Sequence, residues 1–432
     1  MTSLLLSSRQ VSSYAEARLA GLSIPVNLSW PGGCVGSSSP RVRLTLHHRS
    51  VLADLAEGRV GAIADAYVRG ALDIEGELRD VMTAAAELAG DPVSQGAVPP
   101  WRYLLSLLRA RGSLLRLARA DQVRFHYDLG DDFFALWLDP RRVYSCAYYR
   151  DAAMSLAQAQ EAKLDHICRK LGLVPGQRFL DIGAGWGGLL MWAAEHYGVR
   201  ASGITLSRNQ HAHVERLIDA KGLRGRVEIR LLDFHDLPAD GSFDAAASVG
   251  MFEHVGRSRL DAYFARMARL VRPGGLIMNH GITAGGLDNR QLGAGIGEFI
   301  ERHIFPGGEL VHVAQVAQSL ARAGLELLDA ENLRPHYART LWAWADGLEA
   351  SRERAEAVAG PAVVRAYRMY LGGCAMAFEQ GWMALYQLLA TRPDGDAARG
   401  PMRGAQSAFP FNREYMYRAS PLAGGPSSAA DA

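Results

Sequence analysis

Residues 178–188 read RFLDIGAGWGG. The run 179–182 has the length and apolar character of a buried strand, and 189–197 reads as the helix that follows it. Between them stands the turn Gly183-Ala184-Gly185-Trp186-Gly187-Gly188. Glycines there open backbone angles closed to other residues and let a ligand approach the main chain. The start of the next helix adds a partial positive end. A dinucleotide fold uses a similar turn, so the glycines alone do not name the ligand.

Working outward, 200–204 reads as the next strand, followed by TLSRNQ at 205–210. GSFDAAASVGM at 241–251 places a strand after an acidic turn and runs into Phe252-Glu253-His254. LVRPGGLIMN at 270–279 predicts a helix end, a Pro-Gly-Gly turn and another buried strand. From 177 to about 285, strand-like runs alternate with helical ones, the pattern of a parallel sheet covered by helices. Glycine loop, FD-strand and PGG-strand in this order resemble the class I methyltransferases. That resemblance implies an α/β, Rossmann-like domain binding S-adenosylmethionine beyond the carboxyl ends of its strands. Many such proteins end the second strand in an acid that grips the ribose. Here the hydroxyls and amide of Thr205, Ser207 and Gln210 stand instead; they can bond a sugar without adding charge. Ser207 equally suits the N-cap of a helix over 210–219.

The rest of the chain sets the frame. At 432 residues there is room for two domains. A net charge of +2 points to no partner by itself, and no nucleic acid is expected. Cys34, Cys146, Cys168 and Cys374 are too scattered for a metal site or a disulfide framework, so reduced thiols in a cytoplasmic protein are expected. Residues 1–10 are too short in apolar character for a secretory signal. Nowhere is there an apolar stretch of the ~20 residues that a membrane-spanning helix needs.

Segment 1–90 reads as a small α+β domain, with a strand over 41–47 and helices over 52–56 and 61–72, the last continuing into 73–78. The turn-rich DPVSQGAVPP at 91–100 marks a boundary. Residues 101–124 carry six arginines and one acid. On a helix, Arg102, Arg109 and Arg116 fall opposite Leu104, Leu108 and Leu115. Such a helix fits docking on an anionic bilayer surface or, equally, a solvated link between domains. The expected order is an accessory domain over 1–90, linker and basic helix over 91–124, a catalytic domain with helical insertions over 125–390, and a partly disordered tail over 391–432. Within it, 339–358 and 361–389 read as helices.

Several further stretches together resemble the cyclopropane-fatty-acid synthase family: HYDLGDDFF (126–134), YSCAYY (144–149), GITLS (203–207), SVGMFEHVG (248–256), IFPGG (304–308), NLRPHYARTL (332–341) and YLGGCAMAF (370–378). The resemblance implies transfer of the methyl of S-adenosylmethionine to a cis alkene of a phospholipid acyl chain, then loss of a proton and ring closure. It implies a bound bicarbonate as base, held by Cys146, Glu253, His280, Ile282 and Tyr337, with Cys146 and Ile282 acting mainly through their backbones. Cys374 matches a family cysteine near the acyl pocket, which makes it a further catalytic candidate, although packing on a helix is the plainer role for it. Around the cofactor the resemblance puts Tyr144, Ser145, Asp181, Gly183, Gly185, Thr205, Ser207, Gln210, Phe234 and His235. No metal is implied. Dimerisation through the N-terminal segment and a peripheral place on the inner membrane face are further expectations of the resemblance.

The residue types suit that chemistry. An alkene is a poor nucleophile, so the donor must be held in line and water kept out. Aromatic faces such as Tyr144, Phe252 and Tyr337 stabilise a carbocation. A carboxylate, an imidazole and a phenol can orient a small oxyanion as proton acceptor. His254 is a second acid/base candidate. Gly281 stands where threonine is usual, which predicts a looser oxyanion pocket. Three other readings stay open: acyl methylation without ring closure, amine N-methylation, and a catalytically silent lipid-binding protein.

Overall fold

The computed structural model describes residues 8–48, 51–93, 130–395 and 414–417; the basic stretch 101–124 and most of the tail lie outside the described residues. The chain divides into two compact units. One comprises Met1–Gln122, Asp288–Gly307 and Leu341–Trp382, the other Val123–Leu287, Gly308–Thr340 and Met383–Ala432. The units are therefore not consecutive in sequence: the stretch 125–390 lends two of its segments to the unit that begins at the N-terminus.

In the first unit, Val42, Leu44 and Leu46 alternate with Arg43 and Thr45, which buries one face of a strand. The strands β1 (Val26–Trp30), β2 (Gly33–Gly36), β3 (Val42–Leu46) and β4 (Leu72–Glu75) form a sheet of order β2-β1-β3-β4. Strand β4 corrects the helix expected to continue through 73–78. Gly70, at φ 72°, turns the chain after the helix Val60–Val68, and the next residues pair antiparallel with β3. Gly76 follows at φ 126°, where a Cβ would stand 2.5 Å from the Arg41 carbonyl oxygen. The helix Pro361–Glu379 packs on the helices Val60–Val68 and Leu78–Ala89. Gly372 permits this approach, since a Cβ there would meet Met82 Cγ at 3.0 Å. That packing is the physical reason a late segment joins an early unit.

The second unit holds β5 (Arg178–Ile182), β6 (Arg200–Thr205), β7 (Val227–Leu231), β8 (Phe243–Val249), β9 (Val271–Ala284), β10 (Glu326–Asn332) and β11 (Met383–Thr391). They form one seven-stranded sheet of order β10-β11-β9-β8-β5-β6-β7. β5 to β9 pair in parallel, whereas β11 runs antiparallel to both β9 and β10. The sheet is buried on both faces. Phe179 packs with the helices Leu156–Lys170 and Gly188–Tyr197, and Leu180 and Ile182 pack with the helix Leu260–Leu270. This explains why its central strands read as unbroken apolar runs.

Two expectations are corrected here. The Pro-Gly-Gly run does not separate helix from strand: β9 runs through it, and a register shift opposite Phe243–Ala245 absorbs the irregularity. The helix expected over 361–389 ends at Glu379, Gly381 turns the chain at φ 75°, and Met383–Thr391 is strand β11. Among the described residues no helix is long and apolar enough to cross a membrane.

Candidate active site

The glycine loop is clamped between neighbours. The N–H groups of Gly183 and Ala184 both donate to the Ile204 carbonyl at the end of β6, at 3.1 and 2.9 Å. Gly183, Gly185 and Gly187 all have positive φ, at 78°, 57° and 84°. A Cβ on Gly187 would lie 2.9 Å from Val214, and one on Gly188 2.9 Å from Val143. These two glycines thus let the loop press on the helix Arg208–Ala220 and on the strip 143–146. A Cβ on Gly185 would meet nothing within 4 Å, so that residue borders open space, as a ligand-facing backbone requires. Trp186 Nε1 donates to Asp131 Oδ1 at 2.8 Å. Its ring joins Phe134, Trp137 and Tyr144 in an aromatic cluster.

Past β6, Thr205, Ser207 and Gln210 form a buried knot. The Thr205 hydroxyl donates to Gln210 Oε1 at 2.8 Å and accepts from the Ser207 N–H, while Ser207 Oγ accepts from the Gln210 N–H. The capping role of Ser207 is thus realised, for a helix that begins at Arg208 rather than at 210. Phe234 is buried against Tyr263, in a short turn capped by Asp233, and His235 beside it is exposed. Asp181 is buried within β5; burial pushes its carboxyl up to about 7, with the Lys163 ammonium pulling the other way.

The second half of the site lies where β8 ends. Glu253, in the turn Phe252–His254, accepts the Ile282 N–H on Oε1 at 2.7 Å. The Ile282 backbone donor, expected to hold an oxyanion, is thus engaged by Glu253, because β9 outlasts β8 and leaves that N–H for the carboxylate. Burial pushes the Glu253 carboxyl up to about 7. His280 and Gln387 face each other across β9 and β11, with Gln387 Nε2 3.2 Å from His280 Nδ1. With the amide donating, the ring proton is assigned to Nε2. Burial, helped by Lys163, holds His280 well below its ordinary pKa, so the ring is neutral. Glu253 Oε2, His280 Nε2 and Gln387 Oε1 are all buried without a hydrogen-bond partner among the described residues. Each such atom costs about 1–3 kcal/mol. Glu253 Oε1 lies over Gly281, whereas His280, the preceding residue of β9, faces the side of the helix Leu156–Lys170.

Gly281 is the reverse of a loosening. A Cβ there would stand 2.1 Å from Phe252 Cε1 and 2.9 Å from Glu253 Oε1, so the bare strand is what lets those side chains lie down. His254 beside them is half-buried.

Tyr337 is buried in the first turn of the helix Arg334–Ala350. That turn is stapled to the strip 146–149. The Ala147 N–H donates to Thr340 Oγ1 at 3.0 Å, the Tyr149 N–H to His336 Nδ1 at 3.0 Å, and Cys146 Sγ lies 3.9 Å from the Leu333 carbonyl. Leu333 N–H in turn donates to Leu385 O on β11, two residues before Gln387. Cys146 is fully buried, and burial pushes its thiol above the range in which it could ionise. Cys374 belongs to the first unit, on the helix Pro361–Glu379, where burial pushes its thiol up to about 12. The second unit therefore holds Tyr144, Ser145, Cys146, Glu253, His280, Ile282 and Tyr337, and Cys374 is not among them.

Sequence reasoning missed Gln387, Thr340, Gln160 and Lys163. Gln387 carries a readable signal, a lone amide inside the apolar run MALYQLLAT.

A glycine loop after the first strand of a seven-stranded sheet of order β10-β11-β9-β8-β5-β6-β7, with β11 antiparallel to its neighbours, is the architecture of a class I S-adenosylmethionine-dependent methyltransferase. Solved structures agree. The chain is 37% identical to the cyclopropane synthase MmaA2 of Mycobacterium tuberculosis, with TM-score 0.60, covering 63% of this chain and 98% of that one. The same values hold for a mycolic acid cyclopropane synthase complexed with SAH and CTAB. The family model of mycolic acid cyclopropane synthetase matches residues 116–388, and this chain belongs to that family. Among curated relatives, a probable fatty acid methyltransferase of Pseudomonas putida is 40% identical, over 93% of this chain and 98% of its own. Cyclopropane mycolic acid synthase 1 of Mycobacterium tuberculosis is 39% identical, over 61% of this chain and 94% of its own. A methoxy mycolic acid synthase is 37% identical over 63% of this chain, so members of the family carry names for different products.

Proposed function

We propose that this methyltransferase adds the methylene equivalent of S-adenosylmethionine to the cis double bond of an unsaturated phospholipid acyl chain and closes a cyclopropane ring. The observation that carries the reading is a set of buried polar atoms near the end of β9, Glu253 Oε2, His280 Nε2 and Gln387 Oε1, each without a hydrogen-bond partner among the described residues. The cofactor would supply an electrophilic methyl group. Gly183, Gly185, Thr205, Ser207, Gln210, Tyr144 and Ser145 would hold it, with Asp181, Phe234 and His235 at its margins. The residues present also suit a small oxyanion such as bicarbonate, which would supply a proton acceptor held by Glu253, His280 and Tyr337.

The chain's own groups do the rest. Neutral His280 offers an Nε2–H donor. Glu253, its carboxyl raised to about 7, can share a proton at Oε2 while Oε1 stays fixed on Ile282. The aromatic cluster around Tyr144 offers electron-rich faces and excludes water. Lipid would be met from the water side, at the inner membrane face, by the chain alone or as a homodimer.

A second reading is acyl methylation that leaves a methyl or methylene branch. A relative that matches 93% of this chain carries the name probable fatty acid methyltransferase. Expression in a bacterium without ring-bearing lipids, followed by fatty-acid analysis, separates the readings. Cyclopropane formation gives acyl chains one carbon longer, with proton resonances upfield of ordinary methylene. A branched chain without those resonances favours the second reading. Unchanged lipids together with methylation of added amines overturn both.

A further inference from the structure

Lys163 is a buried cation that none of the chemistry above uses. It stands on the helix Leu156–Lys170 at 2% exposure, and its Nζ donates to Ser145 Oγ at 2.8 Å. Gln160, three residues earlier on the same helix face, donates from Nε2 to the carbonyls of Val143 and Ser145 at 3.2 and 2.8 Å. From the other side, Asp139 accepts the N–H groups of Val143 and Arg141 at 2.8 and 2.9 Å. The strip 143–146 is therefore gripped from both sides, and it lies against Gly188 of the cofactor loop.

A buried ammonium is costly and survives where its protons and its charge are used. Among the described residues its one hydrogen bond goes to the Ser145 hydroxyl. The acidic groups that act on it are Cys146, which stays a thiol, and the buried carboxyls Asp139 and Asp181. Burial brings the ammonium down to about 8, so it remains charged at neutral pH. An ammonium donating to a hydroxyl occupies the oxygen's lone pair. The hydroxyl's own proton is then turned away from the lysine and is strengthened as a donor. Such a donor, backed by a positive charge, repels a sulfonium or an amine and seeks a carboxylate.

We propose that Lys163 is a positioning residue that makes Ser145 the receptor for the α-carboxylate of the cofactor's amino-acid end. The proposal rests on the reading above that Ser145 faces the cofactor. It gives the cofactor a direction: carboxylate toward Ser145, with the sulfonium held off from the buried charge.

The test is calorimetric titration of the full chain with S-adenosylhomocysteine and with its analogue lacking the carboxylate. Lys163→Met and Ser145→Ala should each weaken S-adenosylhomocysteine by about 10- to 100-fold, the scale of one charge-assisted hydrogen bond. Both should leave the decarboxylated analogue within about threefold, and the double variant should bind no more weakly than the weaker single. Equal losses on both ligands, or losses that add in the double variant, overturn the proposal. Should Lys163→Met fail to fold by circular dichroism, Ser145→Ala decides alone, and an unchanged preference for the carboxylate sinks the idea. A wild-type chain that binds neither ligand rejects the cofactor reading itself, a separate outcome.

Discussion

Replacing Glu253 by glutamine tests the buried site through stability and turnover at once. The Ile282 N–H donates to Glu253 Oε1 at 2.7 Å, and in Glu253→Gln an amide oxygen can accept the same bond, so the turn keeps its anchor. What changes is the proton. In the folded chain burial raises the carboxyl from its ordinary 4.5 to about 7. A raised acid binds its proton more tightly when folded. Its stabilising contribution is therefore complete below pH 4.5 and is lost as pH climbs through 7. The gap between those two values is worth about 3 kcal/mol. The glutamine side chain has no proton to lose. The variant should thus match the wild type near pH 4 and exceed it by about 3 kcal/mol at about pH 8, measured by urea unfolding of the full chain. Turnover should fall at least about a hundredfold, the usual scale for a general acid–base group, while S-adenosylhomocysteine binding persists. A stability difference independent of pH would refute the argument that the carboxyl is buried and proton-bearing. Unimpaired turnover would reject its role in the reaction.

Two further substitutions probe the same strand end. Gly281→Thr introduces a Cβ 2.1 Å from the Phe252 ring and should cost about 2–3 kcal/mol by overpacking, with loss of activity; thermal unfolding that matches the wild type would show that Phe252 yields freely. Cys146→Ala removes a thiol that burial keeps protonated, so the pH–rate profile should not move and turnover should stay within about threefold; a displaced limb of that profile would mean that the sulfur titrates after all.

Much of this protein is written locally. The glycine loop, the strand before it and the helix after it depend on neighbours in sequence, so residues 178–188 read correctly from pattern alone. Ser207 as a cap is the same kind of fact, one side chain and a backbone three residues on. Gly70, Gly76 and Gly381 are local signals too, and giving them full weight turns 72–75 and 383–391 from helix to strand.

The site itself is a different matter. Glu253 meets Ile282 because β9 outruns β8, and His280 meets Gln387 because a strand more than 100 residues later returns antiparallel beside it. Ser145 meets Lys163 only when a helix folds back on the strip. Burial, which moves Asp181 and Glu253 to about 7 and keeps His280 neutral, is a property of the sheet covered by its two helical layers. Sequence alone determined which chemical groups are available and the class of fold that carries them. Which groups share a dry, low-dielectric space, and therefore which protons they keep, was decided by tertiary structure, since desolvation depends on everything packed around an atom and not on its neighbours along the chain.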